Sequence, residues 1–451
     1  MTRIKPPVAN ARLAPDQYAR NFADSHPPLT PNEALIESDR CYFCYDAPCI
    51  TACPTGIDIP SFIRKIATGN LKGSGHDILK QNIMGAVCAR VCPTEVLCEG
   101  ACVRNTHEHK PVAIGALQRH ATDWLFANNI QLFQGGSATG KRVAVVGGGP
   151  AGLSCAHRLA LLGHSVVVYE ARDKLGGLNE YGIAAYKVKD NIAQREVAYL
   201  LDIGGIEVRA NRTLGRDFKL SELRTNYDAV FLGLGLTGVN TLRLEKQQVS
   251  GVHDAVAYIA QIRQAQDLSQ LAVGRRVVVI GGGMTAIDIA SQIKRLGAED
   301  VTIVYRRGAE HMGASVKEQA WAQTSGVTIK TWAKPSRLAV HNGVLAGVEF
   351  EYTRVDENGQ LGATGETFTL GADMLFKAIG QTFVKSALEG GVDLLELKDG
   401  RLAVDTDRKT SLANVWAGGD CVAGGQDLTV VAVEDGKRAA DGIDRALRKS
   451  P

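Results

Sequence analysis

The 451-residue chain lacks any apolar run long enough to span a bilayer, which takes about 20 residues. It also lacks a basic stripe: 51 Lys and Arg against 48 Asp and Glu leave a net charge of +3, mixed along the chain. Neither a membrane nor a nucleic acid is therefore an expected partner. The first ten residues, M-T-R-I-K-P-P-V-A-N, hold no hydrophobic signal core, so the expected compartment is the cytoplasm. No repeat period is present. Cysteine all but disappears after residue 102, where only Cys155 and Cys421 remain. Two isolated thiols so far apart cannot form a local redox pair, and both are expected to be packed side chains.

What remains is ordinary globular composition, 45% apolar and 22% charged, in a chain long enough for two or three domains. Glycine is in excess, 49 residues or about 11% against a usual value of roughly 7%. With no repeat to explain it, the excess is expected in loops that let the backbone approach a ligand.

Eight of the ten cysteines fall between Cys41 and Cys102. They read Cys41-x2-Cys44-x4-Cys49-x3-Cys53-Pro54, then Cys88-x3-Cys92-Pro93, then Cys98-x3-Cys102. In a reducing compartment such clustering indicates metal or redox ligands rather than disulfides. The ending C-x3-C-P is that of two-cluster ferredoxins, where the final cysteine ligates the other cluster, although the x4 gap departs from their run. Thiolates suit zinc as well as iron, but structural zinc usually takes four ligands in C-x2-4-C pairs. Two 4Fe-4S clusters are the expectation, with zinc or inert thiols as the alternatives.

The proline-rich residues 1–30 read as an extended arm. P-L-T-P-N-E then opens a helix: Thr30 caps, Pro31 takes the first helical position and Glu33 completes a capping box. A short apolar helix is expected over residues 61–67, and 131–141 has linker composition. The expected domains are a helical one over 1–130, a flavin domain over 142–249 and 383–451, and a nicotinamide domain over 250–382.

After the linker the pattern changes to strand, glycine loop, helix. The strand V-A-V-V delivers Gly147, Gly149 and Gly152 in G-x-G-x-x-G spacing, with Pro150 and Ala151 opening the helix. These glycines allow a tight turn, close approach to a pyrophosphate and close helix packing, while the helix N-terminus offers free N–H groups. Glu170 ends the next strand, where a carboxylate binds ribose hydroxyls. A second unit has Gly281, Gly283 and Ala286, with Met284 and Thr285 between, but its following strand ends in Arg306 and Arg307. Guanidinium in place of carboxylate favours a 2′-phosphate, hence NADP; two solvated charges on a turn are the alternative. Alternating strands and helices give an α/β fold with parallel sheets.

Two dinucleotide sites in one chain indicate a flavoprotein with FAD at one and NAD(P)H at the other. The segment N-V-W-A-G-G-D-C-V, carrying Gly418, Gly419 and Asp420, resembles the C-terminal FAD signature of two-dinucleotide flavoproteins, whose aspartate binds the ribityl chain. By the same resemblance the residues after Gly176 and Gly177 run near the flavin. Flavin disulfide reductases share this plan but need a cysteine pair beside the flavin, and none occurs after residue 141. Electrons are therefore expected to leave by the amino-terminal cysteines.

C-x-x-C-x-D-A-P-C-x-x-A-C-P-T, followed by I-D-I-P-S-F-I-R-K-I, resembles the N-terminal half of the dihydropyrimidine dehydrogenases. So does V-C-A-R-V-C-P-T-E-V-L-C-E-G-A-C. The resemblance runs from about residue 30 to the C-terminus, an extent close to that of their separate bacterial flavin/iron–sulfur subunit. The related glutamate synthase small subunits share the architecture. The resemblance implies a helical domain with two 4Fe-4S clusters, then two Rossmann-like domains, the FAD domain interrupted by the NAD(P)H domain. It assigns Cys41, Cys44, Cys49 and Cys102 to one cluster, and Cys53, Cys92, Cys98 and Gln118 to the other. Counting thiolates alone would choose Cys88 instead of Gln118, and that alternative stays open. It also places Lys187 by the flavin and the loop Ala378, Ile379 and Gly380 among the cofactor contacts. Gly313 stands where the relatives have an arginine, which leaves NADH open beside NADPH.

The implied activity is electron input. FAD would accept hydride from NAD(P)H, and single electrons would pass through two 4Fe-4S clusters, with no acid–base catalytic pair. No barrel for FMN and a pyrimidine follows the second nucleotide unit. A hetero-oligomer with an FMN-containing, pyrimidine-reducing partner is therefore expected, reducing uracil or thymine to the 5,6-dihydro product. The alternative is a glutamate synthase small subunit or another flavin/iron–sulfur reductase serving a different acceptor; a non-catalytic scaffold has no need of open phosphate loops.

Overall fold

The computed structural model describes residues 6–242, 244, 249–388 and 395–449. Residues 1–5 of the expected arm lie outside them. The chain divides into two compact units. One holds Met1–Ser25, Tyr181–Lys187 and Val239–Gln381; the other holds His26–Glu180, Val188–Gly238 and Thr382–Pro451.

The larger unit begins with the cysteine-bearing helices. Pro31–Asp39 starts as its sequence requires: Thr30 Oγ1 accepts the N–H of Glu33, and Glu33 Oε2 accepts the N–H of Thr30 at 2.8 Å. Ile59–Ala67, Leu71–Gln81, Gly85–Val91 and Ile114–Ala127 supply the core, with Phe62, Ile63, Ile78, Leu79, Met84 and Leu117 buried. Burying such side chains contributes about 1.5–3 kcal/mol each. The same unit contains a parallel sheet in the order Val415–Ala417, Ala229–Leu232, Arg142–Val146, Ser165–Tyr169, Ile206–Arg209. Its edge strand Val415–Ala417 comes from the far side of a long insertion and pairs with Ala229–Leu232. The 21-residue helix Thr429–Lys449 packs on Pro150–Leu161 closely enough that a Cβ on Gly436 would lie 2.1 Å from the carbonyl oxygen of Ala151.

The smaller unit has its own parallel sheet, ordered Thr328–Lys330, Asp300–Val304, Arg276–Ile280, Met374–Lys377, Val252–Asp254. An antiparallel meander of Ala333–His341, Val344–Val355 and Leu361–Gly371 is inserted before its strand Met374–Lys377. Both parallel sheets are built from β-branched runs because helices cover their faces.

The arm differs from its reading as merely extended. Pro15–Asn21 is a helix whose Tyr18, with Phe22 just beyond it, is buried in the core of the smaller unit. Pro15 sits at the first turn, Gln17 Oε1 accepts the N–H of Ala14 at 2.9 Å, and the two aromatics, four apart, share the face that residues distant in the chain bury. Among the described residues no helix is long and apolar enough to cross a membrane.

Candidate functional site

The cysteines form two nests. Cys41, Cys44, Cys49 and Cys102 line one void, together with Tyr42, Ile63 and Val112; a second is lined by Cys53, Cys88, Cys92, Cys98 and Gln118, together with Asn82 and Val430. Cys41 and Cys44 are set by a turn in which Phe43 takes φ +51°, under the guanidinium of Arg64, and its N–H donates to Cys41 Sγ at 3.4 Å. A bulky residue in that conformation is rare and marks a constrained site. Cys88 stands on the helix Gly85–Val91, and Cys92 caps its end by donating its N–H to the carbonyl of Cys88.

The donors surround spaces rather than a point. Among the described residues no three His, Cys, Asp or Glu side chains come together so as to hold a metal ion. Zinc needs its sulfurs all about 2.3 Å from one centre, so this spread fits a polynuclear group better. Burial, with Cys102 and Cys41 close by, pushes the Cys49 thiol up to about 12. Cys41 and Cys98 are raised chiefly by burial, and Cys92 by its hydrogen bond with Cys88 and then by burial. Thiols so crowded ionise when a cation enters among them.

Gln118 Nε2 donates to the carbonyl of Gly85 at 2.7 Å, which fixes the amide and leaves its oxygen with no hydrogen bond among the described residues. Cys88 is buried in the same nest. The structure thus brings together all four residues assigned to this nest, and Cys88 with them.

In the same unit the first glycine loop is shaped by backbone crowding. Gly147 has φ +102°, and a Cβ there would lie 2.2 Å from the carbonyl of Gly233; one on Gly152 would lie 1.9 Å from that of Gly147. Gly149 caps the helix Pro150–Leu161. Glu170 Oε2 accepts the N–H of Gly148 at 2.7 Å, placing the carboxylate beside the loop. Gly177 lies against the loop, since a Cβ on it would be 2.8 Å from Gly149 Cα. The Gly418–Asp420 turn approaches from the C-terminal segment, with Gly419 near the Ala151 side chain. Burial raises the Asp420 carboxyl to about 6, helped by Asp427 and opposed by Arg401.

The smaller unit holds the second loop. Gly281 has φ +144°, and a Cβ there would lie 2.1 Å from the carbonyl of Ala378. Gly283 caps Met284–Arg295, with nothing within 4 Å of the space its Cβ would fill, and Thr285 and Ala286 make the first turn. Ile379 and Gly380 are held by their carbonyls, which accept from Asn240 Nδ2. Arg306 and Arg307 are exposed just beyond Asp300–Val304, and no hydrogen bond or ion pair engages either guanidinium among the described residues. Gly313, at the position where the resemblance implies an arginine, lies beside Gly283.

Lys187, expected by the flavin, is buried within this unit. Its ammonium lies 2.8 Å from Asp288 Oδ1 and donates to both Glu318 oxygens at 2.9 Å. Asp288 also accepts the N–H of Ala184, and Gln292 that of Ala185, so two successive turns of one helix face hold the segment Tyr181–Lys187. Sequence reasoning missed Asp288, Glu318, Asn82 and Asp435. Of these only Asp288, with Gln292 four residues on along the helix, left a local signal.

Comparison with known proteins accords with this arrangement. Residues 18–130 match the family model described as dihydropyrimidine dehydrogenase domain II, 4Fe-4S cluster, and residues 141–436 match that of pyridine nucleotide-disulphide oxidoreductases. The NAD-dependent dihydropyrimidine dehydrogenase subunit PreT of Salmonella typhimurium is 36% identical over 434 residues, 96% of this chain and 98% of that one. The NADPH glutamate synthase small chain of Escherichia coli is 32% identical, covering 98% and 97%. Mycobacterium tuberculosis FprA, solved in complex with NADPH, shares the fold over 69% of this chain and 85% of its own, at TM-score 0.57 and 18% identity.

The fold and its glycine loops define an NAD(P)H-dependent flavoprotein oxidoreductase with an iron–sulfur domain. The chain belongs to the family that contains the PreT subunits of dihydropyrimidine dehydrogenase and the glutamate synthase small chains.

Proposed function

We propose that this chain is the electron-input subunit of an NAD(P)H-dependent dihydropyrimidine dehydrogenase. The observation that carries the reading is the pair of cysteine nests in the same compact unit as the first dinucleotide loop. When bound, flavin and iron–sulfur clusters would pass on the two electrons of one hydride singly.

The chain's own residues do the rest. Gly147, Gly149 and Gly152 leave room for a pyrophosphate at a helix N-terminus, where Glu170 would take ribose hydroxyls and Asp420 would bind the ribityl chain. Cys53, Cys92, Cys98 and Gln118 hold the cluster nearer the flavin fold, since Val430, from the helix Thr429–Lys449, lines their nest. Cys41, Cys44, Cys49 and Cys102 hold the outer one, beside the exposed Tyr42 and Tyr45. Gly281, Gly283 and the first turn of Met284–Arg295 receive the nicotinamide dinucleotide. The free guanidiniums of Arg306 and Arg307 favour a 2′-phosphate and so NADPH. The partner is an FMN-containing subunit that reduces uracil or thymine, in a cytoplasmic hetero-oligomer.

Oxygen-free titration of the purified chain with NADH and with NADPH tests this, with flavin bleaching, cluster EPR and iron assayed together. The expected outcome is two reducible clusters, flavin reduction by NADPH or NADH, and uracil reduction only once the FMN subunit is added. Uracil reduction by the chain alone would rule out the separate partner. The arginine pair also favours a second reading, a small subunit of a glutamate synthase. Electron delivery to that enzyme's large subunit and not to the FMN subunit would establish it.

A further inference from the structure

The second nest contains one polar group that its assigned ligands leave unexplained. Asn82 follows the helix Leu71–Gln81 and is 1% exposed. Its Oδ1 accepts the N–H of Met84 at 3.0 Å, closing a turn onto the helix Gly85–Val91 that carries Cys88. That bond fixes the orientation of the carboxamide, because a backbone N–H can face only the oxygen. The amide nitrogen is left buried with no hydrogen-bond partner among the described residues. Asn82 lines the same void as Cys53, Cys88, Cys92, Cys98 and Gln118.

A buried N–H2 without an acceptor is costly and rarely survives unless something absent from the protein itself receives it. The other side-chain amide in the nest does not share this property, since Gln118 Nε2 is spent on the carbonyl of Gly85. The Thr55 hydroxyl already lies 3.4 Å from Cys53 Sγ. The acceptors to be expected in the void are sulfurs, bridging sulfide or cysteine thiolate, which carry more negative charge once the cluster is reduced.

We propose that Asn82 donates a hydrogen bond from Nδ2 to a sulfur of the cluster held in this nest, and that it raises that cluster's reduction potential. Asn82 is then a tuning residue and not a ligand. Hydrogen bonds to the sulfurs are one of the protein's levers on such potentials, and a dry site strengthens them. The inference rests on the reading that this nest holds an iron–sulfur cluster.

The test uses the full chain, purified without oxygen, with Asn82→Asp and Asn82→Leu compared at pH 8 by EPR-monitored redox titration. Asn82→Asp keeps the acceptor for Met84 but replaces the donor by a carboxylate, which also adds negative charge; Asn82→Leu removes donor and acceptor without adding charge, and so isolates the lost hydrogen bond. With iron and flavin content unchanged, each variant is expected to shift the second cluster about tenfold against reduction, or about 59 mV for a one-electron couple. The signal from the nest of Cys41 is expected not to move. A second cluster unmoved in Asn82→Leu at full iron overturns the inference, as does one unmoved in Asn82→Asp where Asn82→Leu fails to assemble, because Asn82 then serves only its turn. A wild-type chain with no iron in the nest of Cys53 would instead overturn the reading on which the inference rests.

Discussion

Asp435 Oδ2 accepts the backbone N–H of Gly419 at 2.9 Å, while Arg408 Nε donates to its Oδ1 at 2.7 Å. The carboxylate comes from the helix Thr429–Lys449 and is almost fully buried. It fixes the turn that presents Asp420, so the geometry of the flavin loop is set by a helix that follows it in the chain. Breaking a buried, hydrogen-bonded ion pair costs about 3–5 kcal/mol. Asp435→Ala should lower stability by roughly the smaller of those figures and weaken FAD binding at least tenfold; Asp435→Asn should lose less. Flavin release followed by fluorescence reads the affinity, and a melt reads the stability.

Lys187 separates a structural from a cofactor role. Its ammonium holds Asp288 and Glu318, and its affinity for the proton is raised by both carboxylates against the opposing effect of burial. Lys187→Met would leave two carboxylates facing each other without a cation. The expected loss is about 3 kcal/mol, and adding Asp288→Asn and Glu318→Gln to Lys187→Met should recover most of it. Urea unfolding measures both; an unaltered midpoint in Lys187→Met would contradict the anchoring role.

Glu196 gives the protein a pH dependence. One oxygen accepts the N–H groups of Ala86 and Val87, the other has no partner among the described residues, and burial raises its carboxyl to about 8 from an ordinary 4.5. The folded chain holds this proton where the unfolded chain releases it. The contribution is complete below about pH 4.5 and is lost as pH rises toward 8, at no more than roughly 1.4 kcal/mol per pH unit. Glu196→Gln should flatten that slope and exceed the wild type in stability at pH 8. Denaturant midpoints at pH 5, 6.5 and 8 decide it.

Ligand choice in the second nest can be read from iron. With Gln118 as the oxygen ligand, Gln118→Leu and Cys98→Ser should each halve a wild-type content of about eight irons. Cys88→Ser should keep them all. The opposite pattern would make Cys88 the ligand and leave Gln118 as the buried amide that ties Ile114–Ala127 to Gly85.

Much of this was legible in the chain because its signals are local. The capping box at Thr30 and Glu33, the strands that end in Gly147 and Gly281, and the short cysteine runs Cys41–Cys53, Cys88–Cys92 and Cys98–Cys102 each occupy a few neighbouring residues. The helix at Pro15 was read only as an arm, because a seven-residue segment owes its stability to Tyr18 being buried by distant residues rather than to its own propensity. Asn82, Asp435 and Glu196 were invisible for a related reason. An asparagine or a carboxylate on or beside a helix is ordinary until folding removes water and shows whether a partner remains.

The sequence by itself determined which groups this protein could hold: eight clustered thiols, and two glycine turns whose backbone no other residue could follow. Only tertiary structure decided how those groups are tuned. Burial, the carbonyl that occupies one amide and the void that faces another arise from residues far apart in the chain, and their energies exist only once the surrounding atoms have displaced solvent.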